Sequence, residues 1–262
     1  MKKLKRLMNV LSQLPNNWNS ITVAQYLELK SLETEDLVGT QLLLEQIAVL
    51  LNTDTEDELI DSLGLDELFE ILDKLAFLGG EPPSNHIKIN TELTPIEFNE
   101  LVLGEFIDIE HYVMDAMENI HIILAILHKK RGKDDWGNDT YEPYNYDINK
   151  RSEEFLDIPV TAAIYWIRKY ISWKNEFMKT YQNLFEDPDV GKELEEEQEQ
   201  LTGYDLIEYQ KTLLIQRQKA KFSWENTIYG LANGDITKFN DIFGQKLILV
   251  FNILGMKNAM SD

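Results

Sequence analysis

Cysteine is absent from this sequence of 262 residues. Its absence excludes disulfide bonds, a thiolate nucleophile and zinc sites built on sulfur, and it leaves the redox compartment open. Long apolar runs are also missing. The best one, from Leu247 to Leu254, is far shorter than the roughly 18 residues that a membrane-spanning helix needs. We therefore expect no membrane span.

Positive charge is scarce. The chain has 25 lysine and arginine residues against 46 aspartate and glutamate residues, and its formal net charge is −21. A nucleic acid or an anionic membrane would repel such a surface, so we expect no direct contact with nucleic acid. The acidic surface suits a basic protein partner, or it serves only to keep the chain in solution.

Motifs that carry chemistry are missing as well. There is no Gly-x-Ser-x-Gly elbow for a serine nucleophile, no glycine-rich phosphate loop and no calcium-binding loop. We therefore expect no catalytic residue, no cofactor, no metal and no enzymatic activity.

One pattern favours a different class of protein, a di-iron carboxylate bundle. Glu118 and His121 form a Glu-x-x-His pair, with Asp108, Glu110 and His111 upstream on a predicted helix. Such bundles need a second Glu-x-x-His pair, and the sequence has none. The enzyme is therefore a remote alternative.

Helical periodicity dominates the sequence and predicts a mostly α, bundle-like protein with many helices. Ser20 is a candidate N-cap, and long helices are predicted from Asp108 to His128 and from Pro159 to about Phe185. The alternating residues 86–92 predict one short β element. Glycine and proline residues near position 80 predict an N-terminal helical module, 1–80, and a larger helical domain, 81–262.

The stretch from Lys221 to Met260 predicts a helical hairpin, 221–260, around one turn. Asn233 and Gly234 tolerate positive φ and can close the first helix, and Asp235 can cap the second. The apolar pattern after the turn runs from Ile236 to Leu254 and predicts a second, longer helix. These three turn residues are predicted to have a structural role.

The irregular stretch 132–146 is the candidate protein-contact site. It carries Trp136, Tyr141, Tyr144 and Tyr146 in a polar frame, and aromatic residues are enriched in the centres of protein interfaces. The alternative interpretation is that this loop covers its own core.

Three segments resemble a family. They are PNNWNSITVAQYLEL near the start, LVLGEFIDIEHYV in the middle and FSWENTIYGLANGDITKFNDIF near the end. They are similar to uncharacterised virion structural and assembly proteins of tailed bacteriophages, above all crAss-like and related phages of Bacteroidetes.

The resemblance implies a non-enzymatic structural component of the virion: a neck or tail ring protein, such as a head–tail connector, or an internal cargo protein. Its expected partners are other virion proteins and further copies of itself, in a homo-oligomer that could be a ring. Its expected location is the virion, assembled in the host cytoplasm. The alternative is a cytoplasmic tail-assembly chaperone, which would be absent from the mature particle.

Overall fold

The computed structural model describes residues 2–33, 35, 37–53, 63–89, 91–144, 148–181, 184 and 224–260. This part of the chain contains eleven α-helices, several short 3₁₀ turns and two small two-stranded sheets, so the mostly α prediction is confirmed. Within the same residues, no helix combines the length and the apolar character that crossing a membrane requires.

The helices are α1 Lys2–Gln13, α2 Val23–Leu32, α3 Thr40–Leu51, α4 Leu65–Leu75, α5 Leu103–Tyr112, α6 Ile120–Leu127, α7 Ile148–Ser152, α8 Val160–Thr180, α9 Trp224–Leu231, α10 Phe239–Phe243 and α11 Leu247–Ala259. The strands are β1 Thr94–Pro95, β2 His128–Lys129, β3 Arg131–Lys133 and β4 Asp139–Tyr141.

Side chains at the helix starts explain where two of these helices begin. Thr22 caps α2: its hydroxyl accepts the N–H of Gln25, and the Gln25 side chain accepts the N–H of Thr22. The prediction of Ser20 as the cap is therefore wrong, because Ser20 lies at the end of a separate 3₁₀ turn. At α4, the Glu67 carboxylate accepts the N–H of Gly64 at 2.7 Å.

The contacts divide the chain into two units. The first comprises Met1–Pro95, Tyr112–Thr140 and Asp147–Lys169, and the second comprises Ile96–His111, Tyr141–Tyr146 and Tyr170–Asp262. The division of the sequence into domains 1–80 and 81–262 stays a prediction.

Backbone pairing organises the first unit around the start of α2. The N–H groups of Val23 and Ala24 donate to the carbonyls of Ile158 and Leu156, both at 2.9 Å, and the chain then turns into α8. Apolar residues of the first unit are fully buried. They include Ile21, Val23, Leu124, Phe155, Val160, Ala162 and Ala163.

The short β element of the first unit lies a few residues after the predicted stretch 86–92. Thr94 pairs with Lys129 and Pro95 with His128 in an antiparallel register. Residues 86–89 have no ladder partner, and the nearby N–H of Asn85 donates to the carbonyl of Thr161 instead. The alternating side chains of 86–92 indicate a strand, but they do not show which distant segment a strand in this region pairs with.

Aromatic rings fill the second unit. Phe251 of α11 is fully buried and lies about 5 to 6 Å, centroid to centroid, from four other rings. Those rings belong to Phe106, Phe177, Tyr181 and Trp224.

The C-terminal helical pattern is interrupted where the sequence predicts one long helix. After the turn come a 3₁₀ turn, Ile236–Lys238, and then α10, a break and α11. At the break the N–H of Leu103 donates to the carbonyl of Gln245 at 2.9 Å, and the N–H of Leu247 donates to that of Leu101 at 2.8 Å. The long helix is wrong because this bridging takes up backbone groups that a continuous helix would need.

Several predicted features lie outside the described residues. They are Tyr146, the hairpin residues 221–223, and residues 182–183 and 185 at the end of the helix predicted from Pro159 to about Phe185.

Candidate protein-contact site

The turn between β3 and β4 is held by the carboxylate of Asp134. One carboxylate oxygen accepts the N–H of Trp136 at 2.9 Å and the N–H of Asn138 at 2.8 Å. The other oxygen accepts the side-chain amide of Asn138 at 3.0 Å. The Asp134 backbone also donates to the Asn138 carbonyl at 2.9 Å, so four bonds close this five-residue turn on itself.

Two further features fix the conformation of the turn. Gly137 has a φ of 81°, a value that glycine adopts without steric cost. The Lys133 ammonium donates to the Gly137 carbonyl at 3.1 Å and to the Asp139 carboxylate at 3.2 Å, which ties the two strands together across the turn. The turn therefore has a defined shape although it is exposed to water.

Trp136 stands at the outer end of this turn with 88% of its surface exposed. A large aromatic side chain in water is unfavourable, whereas the same ring buried in an interface contributes strongly to binding. The braced turn lowers the entropy cost of presenting the ring, because the backbone on both sides is already ordered. The arrangement is chemically suited to docking against another protein surface.

The ionisation of Asp134 supports the same geometry. The hydrogen bonds from Asn138, first its side chain and then its backbone N–H, lower the pKa of the Asp134 carboxyl, and the N–H groups of Trp136 and Gly137 add to the effect. All of these donors favour the charged carboxylate, so the turn is built around an ionised Asp134.

Tyr144 has a different environment from Trp136. Its hydroxyl donates to the Asp108 carboxylate at 3.1 Å, and its ring lies against the backbone of Gly104 and near Phe243. Burial raises the pKa of Asp108, and the bond from Tyr144 and the charge of His111 partly offset this rise. Tyr144 therefore packs inside the second unit.

The four aromatic residues of the candidate site are thus not equivalent. Trp136 is exposed, Tyr141 is half-buried at the end of β4, and Tyr144 is engaged within its own unit. Tyr146 lies outside the described residues. One aromatic side chain of the loop thus faces solvent and another packs within the second unit, and the role of the loop as a protein contact stays a prediction.

The turn after α9 has the backbone angles that its sequence favours. Asn233 and Gly234 have φ values of 52° and 78°, and the Gly234 N–H donates to the Tyr229 carbonyl at 2.9 Å. The Asp235 carboxylate accepts the N–H of Thr237 at 3.0 Å and its hydroxyl at 2.6 Å. The turn joins two helices and presents no exposed aromatic anchor of its own.

The Glu118–His121 pair does not have the predicted helical setting. α5 ends at Tyr112, a 3₁₀ turn and a further turn follow, and α6 begins only at Ile120. The prediction of one helix from Asp108 to His128 is therefore wrong, and Glu118 lies in the turn before α6. No group of three or more histidine, aspartate or glutamate residues in the described ranges is placed to hold a metal ion.

A polar cluster that the sequence did not indicate lies in the second unit. The Tyr170 hydroxyl and the Lys174 ammonium each donate to the Glu110 carboxylate at 3.0 Å. Burial, together with the charge of Glu110 and its hydrogen bond, raises the pKa of Tyr170 well above its ordinary value. The three side chains join α5 to the later part of α8 and thus have a structural role.

The structure shows a mostly α protein with an exposed tryptophan on a hydrogen-bonded turn. Comparison with protein-family models, with curated proteins and with solved structures gives no match.

Proposed function

We propose that this chain is a non-enzymatic structural component of a tailed phage virion that acts through protein–protein contacts. The observation that carries the proposal is the exposed Trp136 on its hydrogen-bonded turn. Tryptophan is enriched among the few residues that carry most of the binding energy of protein interfaces. The resemblance of three segments to phage virion proteins is the reason for proposing that the chain acts in a phage particle.

The proposed position of the chain is a ring of the neck or tail. As internal cargo, the chain would instead lie inside the particle. Ring proteins repeat one subunit around an axis and contact both their own copies and the neighbouring rings. The net charge of −21 favours basic protein surfaces as partners over the packaged genome, because nucleic acid is itself a polyanion. The proposed partners are accordingly other virion proteins.

Trp136 is expected to contribute most of the energy of one such contact. Aromatic hot spots at the centre of an interface typically cost about 2 kcal/mol or more on truncation to alanine, which weakens binding about 30-fold. Its high exposure in the free chain means that truncation removes no contact from the core of the chain. The variant therefore separates binding from folding.

The test is incorporation of Trp136→Ala into phage particles in competition with the wild-type chain. Both are produced in infected cells with distinguishable tags, and the ratio in purified particles is compared with the ratio in the lysate. We expect the variant to be depleted about tenfold or more in particles. Val38→Ala is the matched control, because Val38 is also a highly exposed apolar residue and lies outside the turn.

Two results would contradict the proposal in different ways. Equal incorporation of Trp136→Ala and Val38→Ala would show that the aromatic turn is not the contact. Wild-type chain present in the lysate but absent from particles would instead support the assembly-chaperone alternative. Far-UV circular dichroism and the unfolding temperature of each variant check that the fold is intact.

A further inference from the structure

Helix α4 exposes an apolar stripe to solvent. Leu65, Phe69 and Leu72 follow the i, i+4, i+7 spacing that places side chains on one face of a helix, and all three are exposed. Phe69, the largest of the three side chains, is 68% exposed. Leu68 and Ile71 are buried on the adjoining side of the helix, so the apolar surface of α4 extends beyond its buried face. We call the exposed set the α4 stripe.

Helix α11 exposes a second stripe. Leu249, Ile253 and Met256, with Met260 just after the helix, follow the i, i+4, i+7, i+11 spacing and are exposed. Met256 is 65% exposed. The other face of the helix buries Leu247, Val250 and Phe251. We call the exposed set the α11 stripe.

The charges beside the two stripes differ. Asp66, Glu70 and Asp73 are exposed and repeat the spacing of the α4 stripe one position later, so they form an acidic row along it. Lys74, the lysine of this helix, lies outside the acidic row, and its ammonium donates to the Leu11 carbonyl.

Helix α11 has the opposite character. It has no acidic residue over Leu247–Ala259, and its one charged side chain is Lys257, next to Met256. In a chain with 46 acidic residues, a 13-residue helix without one presents a surface that an acidic row can approach with little repulsion.

We propose that the α4 stripe of one copy docks on the α11 stripe of a second copy. Pairing two α4 stripes would bring two acidic rows together, which is unfavourable in a chain of charge −21. Pairing two α11 stripes would leave every α4 stripe in water. A head-to-tail contact places the acidic row beside a helix that has no acidic residue, and it covers both stripes through one kind of interface.

Such a contact is heterologous, so it does not end at a dimer. Each copy offers both surfaces, and successive copies form a closed ring if the rotation between neighbours closes or an open filament if it does not. Seven side chains make a smaller contact than the standard interface of about 1,600 Å², so each single contact is reversible. The inference concerns the chain alone and holds whether or not the virion proposal is correct.

The test uses three full-length variants at exposed positions. Phe69→Glu blocks the α4 stripe, Met256→Glu blocks the α11 stripe, and Val38→Glu adds the same charge outside both stripes. Leu65→Glu is a second variant of the α4 stripe. Mass is measured by light scattering and sedimentation up to about 100 μM protein at about 0.15 M salt, where long-range repulsion is screened.

We expect the wild type and Val38→Glu to associate beyond a dimer with rising concentration, whereas Phe69→Glu and Met256→Glu each stay at the monomer mass of 30.6 kDa. Mixing the two blocked variants is the decisive step, because each retains the surface that the other lacks. The mixture should form a 1:1 dimer of twice the monomer mass and no larger species.

Other outcomes overturn the inference. Phe69→Glu that still dimerises alone would show that α11 pairs with α11, and Met256→Glu that dimerises alone would show that α4 pairs with α4. A blocked pair that stays monomeric, or a monomeric wild type over the whole concentration series, would also refute it. A monomeric wild type would leave the virion proposal standing, since particle incorporation tests that separately.

Discussion

His128 should make the first unit sensitive to acid. Its ring is 1% exposed and lies 5.2 Å from the Phe155 ring and 5.0 Å from the Trp166 ring, centroid to centroid. Nδ1 lies 3.0 Å from the Leu124 carbonyl, which can only accept, so Nδ1 carries the proton of the neutral ring. Nε2 is buried, with no hydrogen-bond partner in the described part of the chain.

Burial is the main reason that the pKa of His128 falls from 6.5 to about 4. The bond to the Leu124 carbonyl acts in the opposite direction, and the positive charges of Arg151 and Lys169 add smaller depressions. The folded chain therefore holds His128 neutral at pH values where the unfolded chain protonates it.

The sign and size of the effect follow from these two pKa values. The unfolded state binds more protons between pH 6.5 and about 4, so the free energy of unfolding falls as the pH falls through this window. The pKa values differ by about 2.5, and each unit corresponds to about 1.4 kcal/mol, so the loss reaches about 3 kcal/mol below pH 4. The full contribution is present above pH 6.5.

The variant His128→Leu removes the titrating group and keeps the site apolar. Urea unfolding followed by circular dichroism gives the free energy of unfolding of both proteins from about pH 7.5 to 4. The value at pH 7.5 is the internal baseline, because the wild-type ring is neutral there. We expect the variant to gain about 3 kcal/mol relative to the wild type across the window.

A difference in the free energy of unfolding between the two proteins that stays constant from pH 7.5 to 4 would contradict this prediction. It would show that His128 is not held neutral in the folded chain.

Three smaller changes test the local geometry through the unfolding temperature. Gly234→Val should destabilise by about 2 kcal/mol, because φ is 78° there and a β-branched residue is strained at that angle. Its control, Gly230→Ala in a helix with open space at Cβ, should stabilise by about 0.5 to 1 kcal/mol. Gly104→Ala should cost about 1 to 3 kcal/mol, because its Cβ would lie 2.5 Å from the Tyr144 ring. Thr22→Ala removes the cap of α2 and should cost about 1 kcal/mol.

For each of these substitutions, one result would contradict the expected change in stability. Unchanged stability in Gly234→Val would show that the turn does not require positive φ. Gly104→Ala without cost would mean that Tyr144 does not pack on that backbone. Thr22→Ser keeps a hydroxyl at the cap and should retain most of the stability; an equal loss in serine and alanine variants would exclude the cap as the cause.

Local chemistry made part of the fold predictable. Asn-Gly followed by aspartate is a turn signal with a mechanism, and positive φ at Asn233 and Gly234 with a capping Asp235 is the geometry it indicates. The mostly α class follows in the same way, because helical periodicity extends over long stretches. Such signals depend on residues a few positions apart.

Helix boundaries that depend on distant backbone were not predictable. Apolar residues recur at helical spacing through 113–119, and they do so on both sides of 244–246, at Phe243 and Leu247, yet the helix breaks at both places. At the second break the backbone of Leu247 bonds to Leu101, almost 150 positions earlier. No pattern within one helix contains that information, because tertiary contacts override local preference.

Part of the candidate site was predictable from the sequence. Asp-Asp-Trp-Gly-Asn at 134–138 contains the turn-forming residues that brace Trp136, but the sequence does not show which aromatic side chain faces water. The α4 and α11 stripes had a signal too: both helices are apolar on more than one face. Periodicity alone does not distinguish a fully buried helix from one with a second contact surface.

Quantitative mass spectrometry of purified phage particles tests the central proposal most directly. We expect this chain in the particles at a fixed copy number relative to the major capsid protein. A ring protein should remain after genome ejection, whereas cargo should be lost with the genome. Absence of the chain from intact particles, with abundant chain in the lysate, would contradict the proposed structural role.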